Sequence, residues 1–239
     1  MKKIILFFIV IVLSITSVFA KINWVTDMQM AKAMALAENK LLVIDFWAIW
    51  CGPCSKMDSE FWSTDKVKDF ENNMIFLKVD IDTETQLAQK YGVRGIPYVV
   101  VADVAENKIW ENVGYNGPSS FSEIFNSIPA NVESVNKVAS PFLKDTDSDV
   151  DYINMGKAYT DLAQDIENSE LKSKFFNMSN RMYKKARKGD YSDEAELRIL
   201  LNKAYRGHTK KLMKKVNKIK VTPENKELRN FVINYIQNN

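Results

Sequence analysis

The sequence predicts an α/β fold, a mixed sheet flanked by helices, followed by a C-terminal all-α domain. Up to residue 128, short apolar runs alternate with helical periods. Beyond it, helical periodicity continues with almost no strand signal. The charge changes at the same place. Residues 21–128 carry ten Lys and Arg against fifteen Asp and Glu, net −5, whereas residues 129–239 carry twenty-one against fifteen, net +6.

Residues 1–20 read as an address. Lys2 and Lys3 precede the apolar run Ile4 to Leu13, and Val18-Phe19-Ala20 supplies a small-residue cleavage site. The run is short for a spanning helix, which needs about 20 residues. An uncleaved anchor is the competing reading. A signal peptide places the mature chain in the periplasm or another extracytoplasmic compartment, where disulfides persist.

Asp27 to Asn39 holds Met30, Ala33, Met34 and Ala37 at helical spacing. Leu41 to Trp47 is a buried strand interrupted by one charge, Asp45. A helix begins near Cys51. The stretch Ser55 to Asn73 predicts a helix, a break near Ser63-Thr64 and a second short helix. Met74 to Val79 is the next strand, and Thr83 to Tyr91 is helical with Thr83 as N-cap. Pro97 to Val101 and Lys108 to Val113 are the last two strands. Ser120-Phe-Ser-Glu123 reads as a capping box that opens a closing helix.

Pro129 and Pro141 bracket a polar linker, residues 129–144. Residues 145–239 predict four to five helices. Tyr152, Met155, Tyr159, Leu162 and Ile166 share one face, as do Leu171, Phe175, Met182 and Ala186. Gly189-Asp190 breaks the second helix and Ser192 can cap the third. Thr222-Pro223-Glu224 marks another helix start. Met155-Gly-Lys-Ala-Tyr159 resembles Leu201-Asn-Lys-Ala-Tyr205, 46 residues later, in the manner of a helical repeat. Two matches do not establish a period.

Two cysteines and one histidine exclude a disulfide scaffold, a four-cysteine zinc site and His-rich metal sites. No metal is expected. A net charge of +3 does not imply nucleic-acid binding. The chemistry therefore rests on Trp50-Cys-Gly-Pro-Cys54. The thiolate is the reactive form of cysteine, and partial positive charge at a helix start stabilises it. Cys51, first of the pair and expected to be the more exposed, is placed to attack a disulfide. Cys54, one turn on, is placed to resolve the mixed disulfide. Pro53 suits a first helical turn. A structural disulfide, a zinc pair and an inert buried pair are the competing readings.

Val43-Ile-Asp-Phe-Trp-Ala-Ile-Trp-Cys-Gly-Pro-Cys54 resembles the active-site strand and helix of the thioredoxin family. Gly92-Val-Arg-Gly-Ile-Pro97 resembles its second signature. The resemblance covers roughly residues 24–128 and implies a thioredoxin-like sheet. It implies Cys51 as nucleophile, Cys54 as resolving cysteine and Asp45 as a buried carboxylate that moves the proton. It makes Pro97 a cis-proline that presents Ile96 to substrate. Trp50, Gly52 and Pro53 complete the substrate-binding surface, and Lys78 and Trp47 support it. No bound cofactor is needed.

Ser55 to Asn73 departs from plain thioredoxin and is similar to exported thioredoxin-like domains. That likeness implies client proteins with disulfides and a membrane electron donor. Gly52-Pro53 resembles reducing members, so reductase or isomerase activity is expected. The alternatives are a non-catalytic binding or chaperone module and a specialised reductant in cytochrome c maturation.

The helical domain is strongly polarised. Residues 172–220 carry sixteen basic against four acidic residues, and residues 145–170 carry one against eight. The basic stretch reads as a patch for another protein or for an anionic surface such as phospholipid headgroups, or else acidic and basic helix faces complement one another. Nucleic acid is not expected outside the cytoplasm. His208 has no partner motif.

Overall fold

A computed structural model describes residues 22–239. The expected signal peptide lies outside the described residues. The chain forms α1 (Met28–Glu38), β1 (Leu41–Trp47), α2 (Gly52–Met57), β2 (Met74–Asp80), α3 (Thr85–Tyr91), β3 (Tyr98–Ala102), β4 (Lys108–Val113) and α4 (Ser119–Asn126). Then come α5 (Glu133–Lys137), α6 (Ser140–Leu143), α7 (Asp149–Asp165), α8 (Ser169–Ala186), α9 (Ser192–Tyr205), α10 (Leu212–Val216) and α11 (Lys226–Asn238).

The four strands make one mixed sheet in the order β2-β1-β3-β4. β1 runs parallel to β2 and antiparallel to β3, and β4 runs antiparallel to β3. The central strands β1 and β3 are almost wholly buried, as their continuous apolar runs require. Register places Asp45 beside Lys78 on β2 and Val99 on β3.

Between α2 and β2 the chain does break near Ser63. Asp58–Trp62 closes as a π-helical turn, with Ser63 N–H donating to the Asp58 carbonyl at 2.9 Å, and Asp65–Asn72 winds as a 3₁₀ segment. Aromatic packing holds this irregular stretch on the sheet. Trp62 meets Trp24 edge-on at 5.2 Å, and Phe61 stacks on Phe121 of α4 at 5.3 Å. Burying each such ring stabilises the fold by roughly 1.5–3 kcal/mol.

Several local expectations are corrected. α1 buries Ala31 and Ala35, whereas Met30 is exposed. Close packing on the sheet takes the small side chains. Thr83 does not cap α3; its hydroxyl donates to the Asp80 carbonyl and the helix starts two residues later. There is no capping box at Ser120, because the helix already begins at Ser119 and the Ser120 hydroxyl donates to the Gly117 carbonyl. Ser192 is the first residue of α9 and makes no cap. At Thr222 a turn precedes α11: Asn225 Oδ1 accepts from Thr222 N–H at 3.0 Å, and its amide donates to the Lys220 carbonyl.

Residues 129–144 are not a polar linker. They hold α5 and α6 and bury Val132, Val135, Asn136 and Ala139. The Val132 N–H donates to the Asn39 carbonyl at 2.8 Å, and the Asn136 amide donates to the Ala35 carbonyl at 3.0 Å. The apolar core runs without interruption from the sheet into α7 and α8. Trp110 of β4 donates to Glu170 of α8, and Tyr159 of α7 donates to Asp103 after β3.

Residues 145–239 form five helices. α7 and α8 pack closely, and Gly156 makes that approach feasible. A Cβ there would lie 2.3 Å from Tyr183 Cε1. Thr160, Ser179 and Asn202 form a buried polar knot between α7, α8 and α9, each hydrogen-bonded to the others. No described helix is long and apolar enough to cross a membrane.

Candidate active site

β1 ends at Trp47, and Ala48 to Trp50 carries the chain to the start of α2. Cys51 is the N-cap of α2: its Sγ accepts the Cys54 N–H at 3.1 Å. Pro53 occupies the first turn, where its missing N–H is not needed. Cys51 and Cys54 are joined by a disulfide. Both are buried, Cys51 at 3% and Cys54 at 4% exposure, so Cys51 is not the more exposed of the two in this oxidised state. Trp47, Ala48, Ile81 and Ile96 pack around the sulfurs. Gly52 and Pro53 face solvent.

Trp50 is 66% exposed, and its indole N–H donates to Asp82 at 2.8 Å. Ile49, next to it in the chain, is also exposed. Pro97 is buried and follows a cis peptide bond to Ile96. Ile96 is half-buried against the cysteines. Its own N–H and carbonyl have no protein hydrogen-bond partner among the described residues.

Asp45 is 1% exposed inside the central strand. Burial pushes its pKa up to about 7; the Lys78 ammonium pulls it down and Asp58 pushes it up again. The nearby Trp62 indole also favours the charged form, yet neither its N–H nor Asp45 Oδ1 has a partner with hydrogen-bond geometry. Geometry decides here, and the oxygen is left unsatisfied.

Lys78 is fixed from three sides. Its Nζ lies 2.7 Å from Asp58 Oδ1, 5.0 Å from the Trp24 ring and 4.8 Å from the Trp47 ring. Sequence reasoning missed Asp58 and Trp24. Asp58 carries a readable signal, being four residues after Cys54 and so on the same helical face. Among the described residues, no three His, Cys, Asp or Glu cluster as metal ligands.

Residues 21–129 match the family model described as Thioredoxin. Thioredoxin-1 of Drosophila melanogaster is 38% identical over 69 residues, which are 29% of this chain and 63%, a little under two thirds, of that relative. Thioredoxin of Mycoplasma genitalium is 30% identical over 105 residues, covering 43% of this chain and 99% of the relative. The crystal structure of Malassezia sympodialis thioredoxin aligns with 36% identity and a TM-score of 0.34, over 38% of this chain and 76% of that one. By the match over nearly the whole Mycoplasma relative, and by the paired cysteines at the start of α2, this chain belongs to the thioredoxin family of disulfide oxidoreductases.

Proposed function

We propose that the chain is an extracytoplasmic thiol-disulfide oxidoreductase, a reductase or isomerase of protein disulfides. The observation that carries this reading is the Cys54 N–H aimed at Cys51 Sγ. After reduction, the same N–H and the α2 start stabilise a Cys51 thiolate.

That thiolate attacks one sulfur of a client disulfide. A Cys51–client bond forms, the client S–S bond breaks, and the other client sulfur leaves as a thiolate. Cys54 then gives its proton to ionised Asp45 and attacks Cys51 Sγ. The Cys51–Cys54 bond closes and the client sulfur is released. The client has gained two electrons, which a membrane thiol donor returns to the pair. The unpaired backbone of Ile96 offers a strand-like register to the client's extended chain. The basic, apolar pattern of residues 1–20 supports export.

The test is reduction of a protein disulfide by the mature chain with a dithiol donor. Turnover is expected, and Cys51→Ser should bring it to the uncatalysed level. A wild type without turnover, or a fully active Cys51→Ser, sinks the reading. Cys54→Ala should trap clients and donor as mixed disulfides.

A further inference from the structure

A cavity of about 480 Å³ opens between α7, α9 and α11. Its floor is Thr160, Tyr183 and Asn202, all buried. These groups satisfy one another: Thr160 Oγ1 donates to Asn202 Oδ1 at 3.0 Å, and Asn202 Nδ2 donates to Ser179 and Asn180. The floor therefore has no orphaned polar group that would call for a polar ligand.

The wall is apolar and aromatic. Leu201, Tyr205, Leu228 and Phe231 form it, and Phe231 is 51% exposed. Phe231 therefore adds an accessible ring to this apolar wall.

Charge at the mouth is unevenly engaged. Lys157 and Arg198 both pair with one carboxylate, Glu194, at 3.5 and 2.7 Å. Asp161 and Glu227 line the same mouth and have no ion pair or hydrogen bond to a side chain among the described residues. The lining itself carries two cations and two carboxylates, and Glu194, outside it, engages both cations. Asp161 is exposed at this mouth; partial burial and the nearby Asp165 raise its pKa, against the pull of Arg198 and Lys157.

We propose that this groove receives a segment of another protein that presents Lys or Arg beside large apolar side chains. The aliphatic stem would lie along Leu228 and Phe231, with the cationic end between Asp161 and Glu227. The faces of Phe231 and Tyr205 favour the same cation. Calling the bound protein a client rests on the redox reading above; the groove's chemistry does not.

The experiment uses the mature chain with Cys51→Ser and Cys54→Ser, which excludes thiol capture. Three fluorescent peptides are titrated by anisotropy: one alternating Lys with Leu and Phe, one with Glu for Lys, and one with Ser for the apolar residues. Only the first is expected to bind. Phe231→Ala, and separately the pair Asp161→Asn with Glu227→Gln, should each weaken it about tenfold. All three changes lie at the exposed mouth, and circular dichroism verifies their fold. Equal binding of the Glu peptide, or variants that bind as tightly as the parent, overturns the proposal. Turnover of a small-molecule disulfide by the wild type is measured alongside. Its absence defeats the redox reading and leaves the binding result standing; intact turnover with no peptide binding defeats the groove alone.

Discussion

The sheet buries an aspartate at each of its ends, and the two sit in opposite surroundings. Asp45, at the cysteine end, is left with an unsatisfied oxygen. Asp103, at the far end, is 0% exposed and fully engaged. It accepts the Asn107 N–H at 2.8 Å, the Asn107 amide at 3.0 Å and the Tyr159 hydroxyl from α7. Burial raises both pKa values. The difference lies in what opposes burial. Around Asp103, hydrogen bonds from Tyr159 and Asn107 oppose it and tie sheet to helices. Around Asp45 the cross-strand Lys78 charge chiefly does so while Asp58 works against it, and a pKa of about 7 leaves the carboxyl poised between its two forms. An incompletely satisfied buried carboxyl is costly to the fold and useful to chemistry.

The largest test of this contrast is Asp45→Asn. Proton transfer to a positioned carboxylate contributes roughly 100-fold or more, so protein-disulfide turnover at pH 8 should fall by about that factor. The wild-type rate should rise with pH through about 7 as Asp45 ionises, and the variant should lack that rise. Stability should move the other way. The folded pKa is raised from 3.8 to about 7, so between those values the folded state binds more protons than the unfolded chain. Wild-type stability therefore declines as pH rises through that window and levels off above it. Asp45→Asn escapes the penalty and should be more stable at pH 8 by on the order of 2–4 kcal/mol in denaturant titrations.

Asp103→Ala should do the reverse. It strands the Tyr159 hydroxyl and the Asn107 amide, and should cost about 3 kcal/mol by the same titration. Its chemistry with a small disulfide should be unchanged wherever the chain is folded. A stable Asp103→Ala, or an unstable Asp45→Asn, would break the contrast outright. Tyr159→Phe removes one donor and leaves both carboxylate oxygens with Asn107, so about 1 kcal/mol should be lost.

The smallest effects sharpen the electrostatics at Asp45. Lys78→Met removes a charge that lowers its pKa, and Asp58→Asn removes one that raises it. The pH–rate inflection should shift up in the first and down in the second, each by a fraction of a pH unit. Shifts of the same sign would mean that the Asp58–Lys78 pair acts through position and not through charge.

Much of this arrangement was legible because it is local. β1 and β4 occupy the spans their patterns predict, and Asp45 announced itself as a charge inside an apolar run. The cysteine pair and its helix start are fixed by five consecutive residues. What stayed hidden depends on contacts distant in sequence. Asp103 looks like a turn residue after a strand, and only Tyr159, 56 positions on, makes it a core acceptor. Asn136 looks like part of a polar spacer until its amide is found on Ala35, 101 positions back. Helix starts were misjudged for a related reason. Ser120 and Thr83 bond backward to carbonyls of the preceding turn, an alternative to capping that spacing alone does not distinguish.

The seam at Val132 and Asn136 sets a limit on dissection. The family match stops at residue 129, but the shared core continues to Met182. A truncation at the family's edge would remove Asn136 from the Ala35 carbonyl, Glu170 from Trp110 and Tyr159 from Asp103. It would not release a minimal enzyme; it would amputate part of a cooperative unit. Calorimetry of the whole chain should show the sheet and the first helical hairpin melting in one transition. The catalytic fold and its appendage are therefore not beads on a string, because the sheet and the first helical hairpin share one interior.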